Sequence, residues 1–493
     1  MRGLTLRKIA EVCDGTYMGD PSFLDREVEN VVTDSRAAED GSLFVAIPGE
    51  RVDGHKFIPD VFRKGALAVL SEHALEQADG PYIIVKSGLM AIRKMAAWYR
   101  QTLTIPVVGI TGSVGKTSTK EMIASVLEQK FNVLKTEGNF NNLLGMPMTL
   151  LKIREEHEVA VIEMGISEFG EMHQLAEIAR PDICVITNIG QAHLENLKTR
   201  DGILKAKTEI FDFLKEDGVI VINGDDDKLS TVGTVRGITP KRFSLNRDDC
   251  DVTVKNVVNR GLDGMEADLT TDLGCIHIHE PIPGIHYLYN AGAAACIGRS
   301  LGLTNEEIAA GVASVKTIAG RLNMLRLRDE IIVIDDCYNA NPASMKASLG
   351  VLSKALGRKI AVLGDMGELG ENEKELHFEV GKAAAENGID VLFCAGELCQ
   401  EMAKGAEGGC EVKWFADRDA LLEELRTFVK PKDAVLVKAS HFMGFPVIVE
   451  ALKETLNDKN GRIKTVPKYT VPGRDAWHRF TRHPCLVPLL CLD

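Results

Sequence analysis

The segment Val107–Leu127, VVGITGSVGKTSTKEMIASVL, holds the residues of this chain best suited to binding a nucleotide. It begins with β-branched residues, turns through Gly112 and Gly115, and enters a helical pattern at Lys116. Backbone N–H groups of a glycine-rich turn and of a helix N-terminus together bind phosphate well. Lys116 would add positive charge at the terminal phosphates, and Thr117 would offer a hydroxyl to Mg²⁺. The pattern predicts a phosphate loop, for which an ordinary strand–turn–helix connection is the alternative.

The loop is a variant of the common phosphate-loop pattern. Ile110 stands where that pattern has its first glycine, and Gly109 lies one residue earlier. The residues assigned to the loop are Thr111, Gly112, Ser113, Val114, Gly115, Lys116 and Thr117. The helix that follows should bury Met122, Ile123, Val126 and Leu127. The loop alone does not identify the reaction, because motors, switches, kinases and ligases all use one.

Two further side chains follow predicted strands. Glu163 ends the strand of VAVIEM, and His193 follows the strand Ile183–Ile186. Ligands of open α/β sheets collect beyond the carboxyl ends of the strands, where a carboxylate can hold Mg²⁺. A capping or salt-bridged Glu163 and a structural hydrogen-bonding His193 are the alternatives.

A lysine on an apolar stripe is the third feature. In GILKAKTEIFDFL, Lys207 shares one helical face with Ile203, Ile210 and Leu214, whereas Lys205 points elsewhere. A bare ammonium facing the protein interior is costly, so we expect Lys207 either to snorkel or to have a lowered pKa. A neutral amine can capture CO₂ as a carbamate, which would turn a buried cation into a ligand for Mg²⁺.

These side chains need a sheet to position them. Apolar strand-like runs alternate with helical segments from Ile105 onward, which is typical of a mostly parallel sheet covered on both faces. We therefore predict an α/β protein of three domains: a small α/β N-terminal domain, a central phosphate-loop ATPase domain with a mostly parallel sheet, and a C-terminal Rossmann-like α/β domain. The predicted boundaries are residues 1–86, 87–317 and 318–458, followed by a disordered or non-native tail at 459–493.

Composition limits the class of protein. The chain has 493 residues, 45% of them hydrophobic, and a formal net charge of −13. The length calls for several domains, and the acidity argues against nucleic acid or an anionic membrane as the main partner. No apolar run has the length of a membrane span, and the N-terminal residues do not resemble a signal peptide. We expect a cytoplasmic protein, most of whose 11 cysteines are reduced and buried.

Eight ordered motifs together resemble the Mur ligase family. They are TGSVGKTS, TEGNFNNLLGMPMTLL, VIEMG, NIGQAHLE, AKTEIF, YNAGAAA, GRLN and DDCYNANPASM. The resemblance runs from about residue 4 to about residue 455. The last motif and GDMGELG look most like the branch of the family that adds D-alanyl-D-alanine to UDP-N-acetylmuramoyl-tripeptide.

The resemblance implies a metal and nucleotide site. Thr117 and Glu163 would hold one Mg²⁺, and His193 with a carbamylated Lys207 would hold a second. Lys116 would hold the ATP phosphates. In the same family pattern, Asn290 and Arg321 would contact ATP, with Arg321 at the γ-phosphate. Asp336 would bind the ribose. Asn139 and Asn142 would lie at the edge of the reacting groups.

The resemblance also implies a substrate site in the first domain. Ser35 and Arg36 in TDSR, with Asp53 and His55 in GERVDGHKF, resemble the part of the family that binds UDP. The expected small-molecule substrates are the UDP-linked tripeptide and D-alanyl-D-alanine, and the expected state is a monomer.

Three positions depart from the family pattern. Cys337 stands where serine is more usual, and Ala439 and His441 replace the glycine and arginine of a Lys-Gly-Ser-Arg element. The last two bear on how the C-terminal domain contacts the site. The diaminopimelate-adding relative has an Asp-Asn-Pro-Arg stretch, which this sequence lacks.

The implied reaction is ATP-dependent amide formation. The γ-phosphoryl group would pass to the tripeptide's carboxylate, and the amino group of D-alanyl-D-alanine would displace phosphate from the acyl phosphate. The alternatives are a sister Mur or folylpolyglutamate-type ligase, a non-catalytic nucleotide-binding relative, and a kinase or GTPase switch. A non-catalytic relative would be expected to lose Lys116, Glu163, His193 or Lys207, and all four are present.

Overall fold

The computed structural model describes residues 1–49, 52–191 and 193–456, which form two compact units. The first unit comprises Met1–Val254 and Tyr287–Val315, and the second comprises Lys255–His286 and the chain from Lys316 onward. The predicted tail at 459–493 lies outside the described residues.

The first unit begins with a small α/β part. Its strands follow the order β1-β5-β4-β3-β2, with only the β1–β5 pair antiparallel among them. Thr5 caps the first helix by accepting a hydrogen bond from the N–H of Lys8. The elements are α1 (Leu6–Val12), β1 (Thr16–Met18), β2 (Asn30–Val32), β3 (Ser42–Val45), α2 (Ile58–Arg63), β4 (Ala68–Ser71) and β5 (Tyr82–Ile84).

The rest of the first unit is built on a parallel sheet of strand order β12-β11-β10-β9-β6-β8-β7. Its elements are α3 (Gly88–Thr102), β6 (Val107–Thr111), α4 (Lys116–Leu127), β7 (Val133–Lys135), α5 (Gly145–Leu150), β8 (Val159–Glu163), α6 (Glu171–Ala179), β9 (Ile183–Ile186), α7 (Leu194–Leu197), α8 (Arg200–Thr208), β10 (Val219–Asn223), β11 (Lys241–Ser244) and β12 (Val252–Asn259). The antiparallel hairpin β13 (Met265–Thr271) and β14 (Gly274–Glu280) then belongs to the second unit.

The register of the three central strands places the site. Strand β6 lies between β8 and β9, and all three strands are buried along their whole length, as expected for a sheet covered on both faces. Ile110 is paired with Glu163 on one side, and Thr111 with Ile186 on the other. The phosphate loop, Glu163 and the chain leaving β9 therefore emerge at the same edge of the sheet.

Two later helices return to complete the first unit. They are α9 (Ile285–Ser300) and α10 (Asn305–Ala313). A Cβ on Gly311 would lie 2.3 Å from the Cα of Val126, and Ser125 donates a hydrogen bond of 2.7 Å to the carbonyl of Gly311. Glycine therefore allows α10 to lie directly against α4, the helix that begins at the phosphate loop.

The second unit holds a mostly parallel sheet of order β15-β16-β20-β17-β18-β19, in which β15 is antiparallel to β16. Its core consists of apolar residues from these strands and from α14 and α15. The elements are β15 (Asn323–Arg326), β16 (Ile332–Asp335), α11 (Pro342–Leu352), β17 (Lys359–Gly364), α12 (Glu373–Glu386), β18 (Val391–Ala395), α13 (Cys399–Ala406), β19 (Glu411–Phe415), α14 (Arg418–Phe428), β20 (Ala434–Lys438) and α15 (Pro446–Leu456).

The predicted fold class is confirmed, with small N-terminal, central and C-terminal α/β parts in the expected order. The four residues expected to be buried on the helix after the loop are all fully buried in α4. Most cysteines of the described chain are buried, as expected. The residue boundaries of the three domains stay predictions.

Candidate active site

Two glycines shape the phosphate loop. Gly112 has φ +153°, and a Cβ there would lie 1.9 Å from the Oγ1 of Thr187, so no other residue fits without displacement. Gly115 has φ +82° and precedes the first residue of α4. The N-terminus of α4, where the first N–H groups of an α-helix have no acceptor within the helix, therefore opens directly onto the loop.

The segment after β9 clamps the loop. The Asn188 side chain accepts a hydrogen bond of 3.0 Å from the N–H of Val114 and donates one of 2.8 Å to the carbonyl of Val114. The Thr187 hydroxyl donates to the same carbonyl, and the N–H of Gly190 donates to the Ser113 hydroxyl. Neither Asn188 nor Thr187 was given a role from the sequence, although both directly follow the predicted strand Ile183–Ile186.

The two predicted lysines are brought together. Lys116 donates a hydrogen bond of 3.0 Å to the carbonyl of Gly112. Lys207, on α8, is only 1% exposed, which confirms that it faces the interior. Burial, reinforced by the positive charge of Lys116, holds the pKa of the Lys207 ammonium well below its ordinary value. The protein thus makes the charged form of this amine less favourable than it is for an exposed lysine.

Glu163 offers one carboxylate oxygen to a cation. The residue is 2% exposed, and its Oε1 accepts a hydrogen bond of 2.8 Å from the Nδ2 of Asn141. Its Oε2 is buried and has no hydrogen-bond partner among the described residues. A buried, unpartnered carboxylate oxygen is costly unless a cation or donor satisfies it, so Glu163 fits a divalent cation.

A cation beside Glu163 would not be enclosed by protein carboxylates alone. Within the described part of the chain, no three His, Cys, Asp or Glu residues cluster closely enough to hold a metal ion. Mg²⁺ is commonly held by one or two carboxylates together with substrate phosphates and water. The hydroxyl of Thr117, itself nearly buried at the start of α4, is a further oxygen at this edge.

His193 lies just before α7 in the left-handed region, with φ +59°. The segment leading to it is anchored at Ile189, whose N–H donates to Asp226 and whose carbonyl accepts from Arg200. Arg200 also forms a two-pronged salt bridge with Asp227. These anchors hold the start of the His193 segment against α8, which carries Lys207.

The three predicted asparagines have different surroundings. Asn290 on α9 accepts a hydrogen bond of 2.8 Å from Thr119, one turn into α4, and so lies near the loop. Asn142 accepts from the N–H groups of Leu144 and Gly145 and thereby begins α5. Asn139 is exposed on the same segment.

The predicted UDP-binding residues occupy two turns of the N-terminal part. Asp34 accepts hydrogen bonds from the side chain and N–H of Arg36, which lowers the pKa of the Asp34 carboxyl to about 2. The carbonyl of Ser35 accepts from Lys64. In the other turn, Asp53 contacts the Nδ1 of His55 at 2.7 Å.

That second turn is tied to the strand beside it. The Nε2 of His55 accepts a hydrogen bond of 3.0 Å from the N–H of Glu72, and the His55 ring stacks on His73 with centroids 4.4 Å apart. His55 is thus fixed by its neighbours on both ring nitrogens.

In the second unit, two buried carboxylates hold the chain around Arg321. Asp335 accepts from the N–H of Gly320 at 2.8 Å, and Asp336 accepts from the N–H of Leu322 at 3.1 Å. The Arg321 guanidinium stacks over the Tyr338 ring at 4.2 Å. Arg321 is therefore presented on a fixed backbone.

Asp336 is also bound from the other side. Its Oδ2 accepts from the Ser348 hydroxyl and from the Lys438 ammonium, each at 2.6 Å. Lys438 is the lysine of the altered Lys-Gly-Ser-Arg element and is nearly buried. The carboxylate of Asp336 has internal partners on both oxygens, none of which was predicted from the sequence.

The three departures occupy distinct surroundings. Cys337 is buried and donates from its thiol to Asp335, as a serine hydroxyl there could. Ala439 is fully buried, and a Cβ on Gly364 would lie 2.7 Å from its methyl group. His441 is exposed, with its ring edge toward Tyr338.

Comparison with known proteins identifies the family. Profiles of the Mur ligase family catalytic domain, the Mur ligase middle domain, and the Mur ligase glutamate ligase domain match residues 27–106, 110–298 and 320–441. The UDP-N-acetylmuramoyl-tripeptide–D-alanyl-D-alanine ligase of Escherichia coli (strain K12) is 37% identical over 457 residues, spanning 92% of this chain and 99% of that protein. The chain therefore belongs to the Mur ligase family.

Solved structures agree with this assignment. MurF from Acinetobacter baumannii has a TM-score of 0.82 at 31% identity, with 91% of this chain and 98% of that one covered. MurF ligase from Thermotoga maritima, solved in complex with ADP, has a TM-score of 0.76 at 31% identity and covers 86% of this chain and 97% of its own. In the described part of the chain, no helix is long and apolar enough to cross a membrane.

Proposed function

We propose that this protein is an ATP-dependent, ADP-forming ligase that adds D-alanyl-D-alanine to UDP-N-acetylmuramoyl-tripeptide in peptidoglycan precursor synthesis. The observation that carries the proposed chemistry is the buried lysine Lys207 next to Lys116 of the phosphate loop, at the sheet edge where Glu163 also emerges. The choice of substrates is supported by the UDP-N-acetylmuramoyl-tripeptide–D-alanyl-D-alanine ligases that the chain matches over nearly its whole length.

The reaction follows from the poor reactivity of a carboxylate. Transfer of the γ-phosphoryl group of ATP to the terminal carboxylate of the tripeptide forms an acyl phosphate and ADP. The amino group of D-alanyl-D-alanine then attacks the acyl carbon, the amide bond forms, a proton is lost from nitrogen, and inorganic phosphate leaves. The protein contributes orientation and charge stabilisation more than covalent catalysis.

Residues of the first unit would bind the phosphates. The loop from Thr111 to Thr117 would surround them with backbone N–H groups, and Lys116 would offset their charge. The two hydrogen bonds between the Asn188 side chain and the backbone of Val114 support this role, because they fix the peptide groups on both sides of Val114. Asn290 would contact the nucleotide from α9, with Asn139 and Asn142 at the edge of the reacting groups.

Mg²⁺ would be held at two places, by Thr117 and Glu163 and by His193 and a carbamylated Lys207. When bound, Mg²⁺ would neutralise charge on the phosphate oxygens. The unpartnered Oε2 of Glu163 and the lowered pKa of Lys207 support this set, because only a neutral amine reacts with CO₂.

Further roles complete the proposal. In the C-terminal domain, Arg321 would contact the γ-phosphate and Asp336 the ribose. In the N-terminal domain, four residues would bind the UDP end of the substrate: Ser35, Arg36, Asp53 and His55. We place the enzyme in the cytoplasm as a monomer, with domains at 1–86, 87–317 and 318–458.

The test is phosphate release from ATP and Mg²⁺ with UDP-muramoyl-tripeptide, with and without D-alanyl-D-alanine. We expect release that depends on the dipeptide and a product whose mass increases by one dipeptide residue, that is, by the dipeptide less one water. Release only with a different amino acid or peptide would reassign the chain to another ligase of the family. Absence of release with every acceptor would contradict the proposed activity.

A further inference from the structure

Glu163 is held by two residues of the segment after β7, its backbone by Thr136 and its carboxylate by Asn141. Its N–H donates a hydrogen bond of 2.9 Å to the Thr136 hydroxyl, and its Oε1 accepts one of 2.8 Å from the Nδ2 of Asn141. The carbonyl of Thr136 in turn accepts from the buried ammonium of Lys120 at 2.6 Å. Of the two carboxylate oxygens of Glu163, Oε2 has no hydrogen-bond partner among the described residues.

Asn141 is itself fixed by Gly165. The N–H of Gly165 donates a hydrogen bond of 2.8 Å to the carbonyl of Asn141. A Cβ on Gly165 would lie 3.0 Å from the Cγ of Asn141 and 3.1 Å from its amide oxygen and nitrogen. The Asn141 side chain therefore lies flat on Gly165, and its amide group has little freedom to turn away from Glu163.

This arrangement distinguishes the two carboxylate oxygens. A carboxylate can bind a cation through one oxygen or through both. An amide N–H that already occupies Oε1 orients the group and leaves Oε2 as the free ligand atom. Without Asn141, both oxygens would be buried without a donor, and the carboxylate could rotate.

We propose that Asn141 is a positioning residue that presents only the Oε2 of Glu163 to a divalent cation at the phosphate loop. This inference rests on the proposed function, because it takes Glu163 as a cation ligand. It assigns to Asn141, which lies between Asn139 and Asn142, a role exerted through Glu163.

The experiment measures ADP affinity by calorimetry over a range of Mg²⁺ concentrations, for the full-length protein. Asn141→Leu keeps the volume and removes the donor, and Gly165→Ala keeps the amide but pushes it off its position. For both variants we expect the half-saturating Mg²⁺ concentration to rise about 10-fold or more, as for other residues that orient metal ligands. ADP affinity in the presence of a chelator should stay unchanged.

Asn132→Ala is the matched control, since Asn132 is an exposed asparagine on the connection between α4 and β7. Asn132→Ala should change neither the half-saturating Mg²⁺ concentration nor the ADP affinity in the presence of a chelator. Where Asn141→Leu lowers the melting temperature too far for titration, Gly165→Ala and the smaller Asn141→Ala decide.

The results separate this inference from the proposed function. An unchanged Mg²⁺ dependence in the variants, with normal Mg²⁺-dependent ADP binding by the parent protein, would overturn the positioning role alone. An equal loss of ADP affinity with chelator would overturn it too, because that marks a general structural defect. ADP binding by the parent protein that ignores Mg²⁺ would contradict the cation role of Glu163 in the proposed function itself.

Discussion

At Lys207, burial decides which form of the amine the protein can hold. The side chain is 1% exposed and lies near the positive charge of Lys116, so the pKa of its ammonium is held well below the ordinary value for lysine. A carbamate would reverse the sign of the charge at this position. A buried carbamate at Lys207 could then form an ion pair with a bound cation.

Lys207→Ala should lower ligation by about 100-fold or more, because a group that stabilises charge on the transferring phosphoryl is lost. Formate or acetate should restore part of the activity by supplying a carboxylate in the space left by the side chain. Phosphate release measures both effects. Lys205→Ala, on the exposed side of the same helix, is the control, and full activity of Lys207→Ala would refute the carbamate role.

His377 links stability to pH in the second unit. It is fully buried on α12, where its Nε2 accepts a hydrogen bond of 2.9 Å from the N–H of Met366. Burial lowers the pKa of this imidazole below its ordinary value of 6.5. The unfolded chain therefore binds a proton at a pH where the folded protein does not.

The contribution of His377 is fully present above about pH 6.5 and is lost as the pH falls toward the lowered pKa of the folded state. We expect the free energy of unfolding, measured with urea at pH 7, 6 and 5, to decrease over this range. His377→Gln should reduce that decrease, whereas His441→Gln, at an exposed position, should not. Identical pH profiles for all three proteins would contradict this assignment.

The site residues that could be predicted from the sequence lie at the end of a strand or at a regular spacing along a helix. Glu163 ends a buried strand, and Lys207 interrupts an apolar stripe, so both were predicted. Asn141 and Asn188 were not, because an asparagine carries no periodic signal and their partners lie 22 and 74 residues away in the chain. The internal partners of Asp336 were missed for the same reason, since Lys438 is 102 residues away.

At the scale of elements, the phosphate loop depends on two glycines that differ in their surroundings. Both have positive φ, but a Cβ on Gly112 would overlap the Thr187 hydroxyl, whereas one on Gly115 would approach only Thr119, at 3.9 Å. A residue with a side chain would have a strained backbone at either position, because φ is positive at both. The steric conflict is confined to Gly112.

Gly115→Ala should therefore cost about 1–2 kcal/mol of stability, the usual penalty for an L-residue in a left-handed conformation. Gly112→Ala should add the cost of overpacking, about 1–3 kcal/mol more, and should break the hydrogen bond between Thr187 and Val114. Thermal unfolding and ADP titration of both variants test this ranking. Equal losses would show that the Thr187 contact does not matter.

The predicted elements were those with long apolar runs. Strands β8 and β9 were found nearly to the residue, because their burial is continuous. Strands β7 and β19 were not predicted. Neither has a fully buried residue, so no continuous apolar run marks them in the sequence.

At the scale of the molecule, the first unit is assembled from two separate stretches of chain. Helices α9 and α10 are made after the hairpin of the second unit, yet they pack on α4 through Gly311 and through the bond between Thr119 and Asn290. The phosphate loop helix therefore lacks part of its packing until residue 313 is present.

A chain that ends at Val254 should fail to unfold cooperatively and should not bind ADP, because the face of α4 that meets α10 would be exposed to water. A chain that ends at Val315 should recover both properties. Circular dichroism on heating and ADP titration compare the two fragments. Cooperative unfolding of the shorter fragment would contradict this dependence on α9 and α10.

The interleaving of the two units has a consequence for synthesis on the ribosome. The chain passes between the units after Val254, after His286 and again after Val315, so neither is a continuous product of translation. A nascent chain that has just emerged to Val254 carries an incomplete nucleotide domain, and one at His286 carries a hairpin whose own unit has not been made. Chaperones that protect apolar surface should therefore remain bound to this chain until more than half of it has been synthesised.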